Sequence, residues 1–527
     1  MKGDEIKVGA ILSYVIIALS TITGILYTPF MLRQLGQSEY GLYMLIGSLV
    51  GYISILDFGL HNTMYRFIAK YQAEKDNENQ ENFLAACFII YGIITVLVLV
   101  VGAILFLNLE SIFSKSLTSD ELYKAQIMFV VLIINLALSL PMGAFQFIIM
   151  GYGKFIFANS VSIARIILRT AVLIGLLSLG YKSIAIVVID KVFNIAMGLT
   201  YLFYCFYKLR VNIKVHTFNK SLLKEILNYS LFVFILAMVN QMFWQIGQVT
   251  LGIIASTAAV AIYALSISLV IYYQNLALGI SGVFMPKVIG LIAKGATGED
   301  LTDLMVKVGR VQLSILGLVL TGFIILGKQF ILLWAGSEYS QIYWITVLLF
   351  IPLTIQMIQT IGGVILQAKN MQSFKAKAYL IMSVLNLFLS IFLARVLGPL
   401  GIGIATALSI IVFQIIIINL YYYYKVDLNV PRFFKQTSKG LLPAMILSII
   451  IGFGTLFLSG SGWASLFYRV VLVTIIYAVM MCTIGFNNDE KNMFIKPILR
   501  MLKIEKKLFK KQIKSQKDSF DSITNRR

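Results

Sequence analysis

Charge is scarce in this chain. Only 13% of its 527 residues are Asp, Glu, Lys or Arg, whereas a soluble domain carries about a quarter. Hydrophobic residues make up 59%, and they fall in runs of roughly 20 or more, enough to cross a ~30 Å hydrocarbon core as helix. A water-soluble globular chain is therefore excluded. Cysteine is nearly absent too: Cys87, Cys205 and Cys482 all sit inside apolar runs, which argues for buried packing residues and against a disulfide framework. The two histidines, His61 and His216, fall in separate loop-like stretches with no Cys or carboxylate at ligand spacing, so no metal or other cofactor is expected. Acidic residues number 23 against 44 basic ones, a net charge of +21. Such an excess is compatible with a nucleic-acid partner only if it is concentrated on one face.

It is not concentrated. The apolar runs predict fourteen spans, near 9–30, 40–60, 83–107, 122–150, 158–180, 182–207, 226–255, 258–284, 309–333, 341–366, 375–395, 400–424, 438–458 and 464–485. Backbone groups in lipid must be satisfied internally, and the alternation of a barrel strand is absent, so the spans are helices. The first run is expected to stay in the protein, because a second span follows it almost at once. Lys and Arg then sort by side. The N-terminus and alternate loops carry 22, the opposite loops only Arg33, Lys115, Lys124, Lys182, Lys328, Arg395 and Arg469. This bias places both termini in the cytoplasm and makes the positive charge topological, with no nucleic-acid partner expected. The tail segment "FIKPILRMLKIEKKLFKKQIK" (494–514) mixes apolar clusters with basic residues and is expected along the anionic inner leaflet.

The chain also repeats itself. "GLYMLIGSLVGYISILDFGL" (41–60) aligns without a gap on "AIYALSISLVIYYQNLALGI" (261–280), with eight identities at an offset of 220. "LGYKSIAI" (179–186) answers "LGPLGIGI" (397–404) at an offset of 218. An even number of spans per copy gives parallel repeats about an axis normal to the bilayer. The expected architecture is an all-α integral membrane protein: a six-helix lobe at 1–210, a cytoplasmic linker at 211–225, a second six-helix lobe at 226–424, two added transmembrane helices within 425–485, and a basic cytoplasmic tail at 486–527.

The segment "LRQLGQSEYGLYMLIGSLVGYISILDFGLHNTMYRFIAKY" (32–71) resembles the N-terminal signature of the bacterial polysaccharide and oligosaccharide flippases: a Leu–Gly pair, a "YGLY" helix, a "DFGL" turn and then an arginine. These belong to the multidrug/oligosaccharidyl-lipid/polysaccharide exporter superfamily. The resemblance implies alternating-access flipping of an undecaprenyl-pyrophosphate-linked oligosaccharide from the inner to the outer leaflet of the cytoplasmic membrane. It also implies work beside polysaccharide-synthesis machinery; a monomer is expected. Fourteen spans, rather than the twelve of many sugar-lipid flippases, is the count familiar from lipid II flippases, which stand as one alternative. A multidrug or cation antiporter of the same superfamily is another. The proton-coupled extruders, however, have an acidic residue inside their first helix, and "GAILSYVIIALSTITGILYTPF" has none.

An ionised side chain at mid-bilayer costs about 2.5–3.5 kcal/mol on the insertion scale, so it usually faces protein or water. Span five carries Arg165 and Arg169 at i,i+4, with Ser162 on the same face; span six carries Asp190 and Lys191. The corresponding positions of the second copy are uncharged. Given the resemblance, Arg165, Arg169 and Lys191 are expected to bind the lipid pyrophosphate, with Arg66 meeting it at the cytoplasmic entrance. Asp57 and Asp190 are expected to balance these cations or to gate. In span seven, Gln241, Gln245 and Gln248 share a helical face with Asn240 and Trp244 beside it, and Gln356 and Gln359 echo the theme in span ten. Amides and an indole suit sugar hydroxyls, so these five residues of span seven are expected to face the sugar; polar pairs also join membrane helices without any ligand. The glycines Gly398, Gly401 and Gly403 follow no strand and predict close helix packing rather than nucleotide binding, and no large outer loop displays a catalytic constellation. No enzyme activity is expected.

Overall fold

The computed structural model describes residues 3–216, 220–369 and 371–493. Among them the ordered elements are all helical. The first copy of the repeat comprises α1 (Gly3–Leu35), α2 (Gln37–Ile53), α3 (Leu60–Glu74), α4 (Asn77–Phe113), α5 (Ser119–Gly151), α6 (Phe155–Ser178) and α7 (Ser183–Phe203). The second comprises α8 (Lys220–Ile254), α9 (Thr257–Ala293), α10 (Gly298–Trp334), α11 (Gln341–Met357), α12 (Thr360–Ala368), α13 (Gln372–Ser409) and α14 (Ile418–Lys425). Three helices follow: α15 (Val430–Ser438), α16 (Leu441–Phe453) and α17 (Gly462–Met480). The expected tail helix at 494–514 and residues 217–219 of the expected linker lie outside the described residues.

The repeat carries through to element boundaries. α2 and α9 begin 220 residues apart, at Gln37 and Thr257. α4 and α10 are both 37 residues long and begin 221 apart, at Asn77 and Gly298. α5 and α11 start 222 apart, and α6 and α13 start 217 apart. Local chemistry sets these starts. Asp76 caps α4 by accepting from the Asn79 amide, and Thr297 and Asp300 form a reciprocal capping box at α10. Thr118 and Glu121 do the same for α5.

Among the described residues eleven helices are long and apolar enough to cross a membrane, or twelve if the bent pair α15–α16 counts as one span. The count of fourteen is not reached by that measure. One reason is the 54-residue stretch Gln372–Lys425, which scores once although Gly398 bends it. There φ is +57° and ψ −135°, a backbone that side chains avoid, and Pro399 follows. Two expected spans, 375–395 and 400–424, share this stretch. Beyond the bend, Gly401 packs so closely that a Cβ would lie 2.2 Å from the Leu393 carbonyl oxygen. Large apolar side chains such as Leu107, Phe392 and Phe467 stand exposed on the outer faces, as a lipid environment requires.

Two stretches read as loops are helices. α3 covers the first half of the expected 61–82 loop, and α15 lies within 425–439. Both are amphipathic, so they lack the continuous apolar run that marks a span. Their starts are set locally, by Gly59 at φ +66° before α3 and by the Asn429 cap with Pro431 in the first turn of α15.

The first copy has a break of its own. α2 ends in a short 3₁₀ turn, Ser54–Asp57, followed by Phe58 at φ +53° and Gly59. In the second copy α9 runs unbroken from Thr257 to Ala293.

α1–α7 pack among themselves and α8–α14 do likewise, while α2 leans on both α8 and α9. The bundles meet at the end bearing the α1–α2, α4–α5 and α8–α9 connections. Thr257 Oγ1 donates to Glu121 Oε1 at 2.8 Å, and Ser116 Oγ donates to the Gly252 carbonyl. Glycine permits this approach: a Cβ on Gly41 would lie 1.8 Å from the Thr257 carbonyl oxygen.

The added helices are clasped by one residue. Arg310 on α10, 6% exposed, forms a two-point ion pair with Glu490, Nε to Oε1 at 2.5 Å and Nη2 to Oε2 at 2.8 Å. Its remaining protons go to the carbonyls of Gln436, Lys439 and Gly485. Removing one partner would leave an uncompensated buried charge. Glu490→Gln should lower the unfolding free energy by about 3–5 kcal/mol, measurable by denaturant titration in micelles.

Candidate functional site

α6 and α7 pack side by side in the first bundle and bring Arg169 onto Asp190. The contact is two-pronged: Arg169 Nε donates to Asp190 Oδ1, and Nη2 donates to Oδ2 at 2.9 Å. Tyr27 of α1 and Tyr43 of α2 stand within the field of this pair. Arg165 lies one turn before Arg169 and has no ion pair among the described residues; its Nε is buried without a hydrogen-bond partner. Ser162, a turn further, shares a hydrogen bond at 3.2 Å with Tyr201, which also donates to the Ala158 carbonyl. Lys191 is half-buried beside Asp190 and makes no ion pair among the described residues. The two cations of span five thus lie one turn apart on α6, and the carboxylate beside them, Asp190, is paired with Arg169. One positive charge is left over, and its Nε proton is unsatisfied.

Asp57 has different partners. His61 Nδ1 lies 2.8 Å from Asp57 Oδ1, and the Tyr91 hydroxyl donates to the same oxygen at 3.3 Å. His61 Nε2 faces the Leu140 carbonyl at 3.2 Å, and the ring packs on Phe147 with centroids 4.8 Å apart. Gly143 makes room, because a Cβ there would come within 2.9 Å of His61 Nε2. His61 therefore sits in the first turn of a helix, not in a loop, and sequence inspection missed its role. The i,i+4 spacing from Asp57 was the signal available. Arg66 lies on the exposed side of α3.

The span-seven row is divided between the two bundles. Gln241 and Gln245 reach α2, where a Cβ on Gly51 would lie 2.6 Å from Gln241 Nε2 and 4.0 Å from Gln245 Nε2. Gln245 Oε1 is buried there without a partner, and Gln248 is buried further along. Asn240 and Trp244 instead line a cavity of about 210 Å³ inside the second bundle, opposite Gln274, Gln356, Tyr379 and Gln414. Gln274 and Gln414 were passed over because each is a single amide in an apolar helix, and only the packing of several helices aligns them.

Membrane-crossing helices, a two-copy architecture and a half-buried guanidinium cluster in one copy define a multi-pass membrane protein with a polar interior. The chain belongs to the family described as Polysaccharide biosynthesis protein, whose model matches residues 7–289. Among curated proteins it is similar to the Bacillus subtilis (strain 168) protein described as "Uncharacterized membrane protein EpsK", 23% identical over 507 residues, covering 91% of this chain and 95% of that one. Among solved structures it resembles the lipid II flippase MurJ in an inward closed conformation, with a TM-score of 0.69 at 15% identity over 93% of this chain and 99% of that one. It also resembles an inward-facing MATE family multidrug resistance transporter of the MOP superfamily, with a TM-score of 0.61 at 16% identity over 79% of this chain and 98% of that one. These structural likenesses establish the shared fold.

Proposed function

We propose that the protein is a flippase of the cell membrane that carries undecaprenyl-pyrophosphate-linked oligosaccharide from the inner to the outer leaflet by alternating access. The observation that carries this reading is the Arg165–Arg169–Asp190 cluster, in which Asp190 is committed to Arg169 and Arg165 keeps a buried, unpartnered Nε. A membrane protein keeps an unsatisfied guanidinium inside only at considerable cost. A pyrophosphate supplies what is missing, since its oxygens accept the paired N–H bonds of a guanidinium fork and replace the water that the lipid headgroup leaves behind. Lys191, half-buried in the next helix, adds charge without direction, and Arg66 on α3 would draw the anion in.

Membership of a polysaccharide biosynthesis family favours a lipid-linked sugar as the cargo, and the fold shared with a lipid II flippase supplies a precedent for moving one. The lobes would be residues 1–210 and 226–424 joined by the 211–225 segment, with both termini cytoplasmic as the Lys/Arg bias requires. Polysaccharide-synthesis enzymes are the expected neighbours, and a single chain contains both halves of the pathway.

The test is reconstitution. Proteoliposomes holding undecaprenyl-pyrophosphate-linked oligosaccharide in the inner leaflet should expose the sugar to an external glycosidase, at a rate that scales with protein. Equal exposure from protein-free vesicles would dismiss the reading. Exposure of lipid II but not of other sugar lipids would transfer the assignment to the lipid II flippases.

A further inference from the structure

The 210 Å³ cavity of the second bundle adjoins another of about 330 Å³, and the two share Gln356, Tyr379 and Gln414 in their walls. The larger lies at the lower end of the ~300–1,000 Å³ range of ligand sites. Together the walls present six glutamines: Gln274, Gln356, Gln359, Gln367, Gln372 and Gln414. Among the described residues the walls contain no Asp or Glu, and the one charge is Lys375, whose ammonium lies 5.3 Å above the Tyr379 ring.

Two of these amides are buried and under-bonded. Gln359 is 5% exposed; its Nε2 donates to the Ile355 carbonyl, and its Oε1 has no partner. Gln414 is 6% exposed; its Oε1 accepts from the Tyr379 hydroxyl at 2.7 Å, but its Nε2 finds only the Met382 sulfur at 3.7 Å. Buried amides without full bonding are costly and are retained where something else completes them.

The chemistry of the wall selects the occupant. An amide offers a donor and an acceptor side by side, matching neighbouring hydroxyls that need both. Trp244 and Tyr379 supply flat faces for a sugar ring. A cation would find no carboxylate, and a pyrophosphate would find one lysine where the first bundle offers two guanidiniums. The repeat sharpens the contrast. At the offset of α6 and α13, Arg165 and Arg169 correspond to Met382 and Asn386, and Met382 lines the amide cavity. Conversely, the first-copy counterparts of Gln274, Gln356 and Gln414 are Ser54, Ile134 and Ala196. The cations of the first copy thus have uncharged counterparts in the second, and the cavity amides of the second have no amide counterparts in the first.

We infer that this cavity is a glycan subsite holding the uncharged sugar portion of the lipid-linked substrate through Gln274, Gln356, Gln414 and Trp244, while Arg165 and Arg169 hold its pyrophosphate. The inference rests on the flippase reading.

The test compares two probes on the full chain in nanodiscs: undecaprenyl pyrophosphate, and the same lipid bearing a glucose trisaccharide. Wild type should bind the glycosylated lipid at least tenfold more tightly than the bare one. Gln356→Leu should reduce that advantage to below threefold and leave bare-lipid affinity within twofold. Gln274→Leu, on a different helix of the cavity wall, should do the same. An advantage that survives both variants, no advantage in wild type, or an equal loss for both lipids would overturn the glycan subsite alone. Failure of wild type to bind either lipid would overturn it together with the flippase reading.

Discussion

Replacing Arg165 with alanine should slow translocation of undecaprenyl-pyrophosphate-linked oligosaccharide by about 10- to 150-fold in proteoliposomes, with normal protein yield. The size follows from the interaction lost. A hydrogen bond to a charged group contributes about 1.5–3 kcal/mol, and each 1.4 kcal/mol is a factor of ten. Arg165 has no ion pair to lose among the described residues, so its removal should not destabilise the protein. Arg165→Lys should fall between, because an ammonium keeps the charge and loses the planar fork. Arg169 needs a different design, since Arg169→Ala also strips Asp190 of its partner. The exchange Arg169→Asp with Asp190→Arg re-forms the pair across α6 and α7. If the pair only ties helices together, the exchange restores stability and transport alike. If Arg169 also grips the anion, stability returns and transport does not. Normal transport by Arg165→Ala at normal protein levels would remove the pyrophosphate role from this cluster.

Gly41→Ala should be the second large effect, although it adds only one methyl group. That methyl would lie 1.8 Å from the Thr257 carbonyl oxygen, which is backbone and has no rotamer to yield. Overpacking costs about 1–3 kcal/mol in ordinary cores, and a backbone clash belongs at the upper end. The arrangement in which α2 and α9 meet should therefore lose about one to two powers of ten in population. Hydrogen–deuterium exchange would report this as at least tenfold faster exchange over residues 37–45 and 256–262, with α16 and α17 unaffected. Unchanged protection in those segments would mean that the two helix starts do not meet this closely in the membrane.

Helices in lipid announce themselves because the bilayer permits little else, so the long apolar runs and their repeat were readable without coordinates. The same logic exposed Arg165, Arg169 and Asp190, since a charge in such a run has few explanations. What escaped reading depended on how helices rotate against one another. α3 and α15 are half polar and resemble loops when only continuous hydrophobicity is weighed. The amides of α8 formed one stripe in sequence, yet neighbours in that stripe turn to different bundles, Gln241 toward Gly51 and Asn240 toward Gln356. Gln414 sits in "IIVFQIIII", where nothing local distinguishes a cavity-lining amide from a helix-pairing one. His61 looked unremarkable until folding set Asp57 and the Leu140 carbonyl on opposite sides of its ring.

The interruption at Phe58–Gly59 makes the two halves mechanically unequal. A helix already missing part of its hydrogen-bond ladder can pivot there by adjusting a few torsions, whereas α9 stays helical at the matching Leu278–Gly279 and loses a ladder bond only further on, at Pro286. The first half should thus bend beside Asp57 and His61, whereas the second has its weak points elsewhere, at Pro286 and at Gly398.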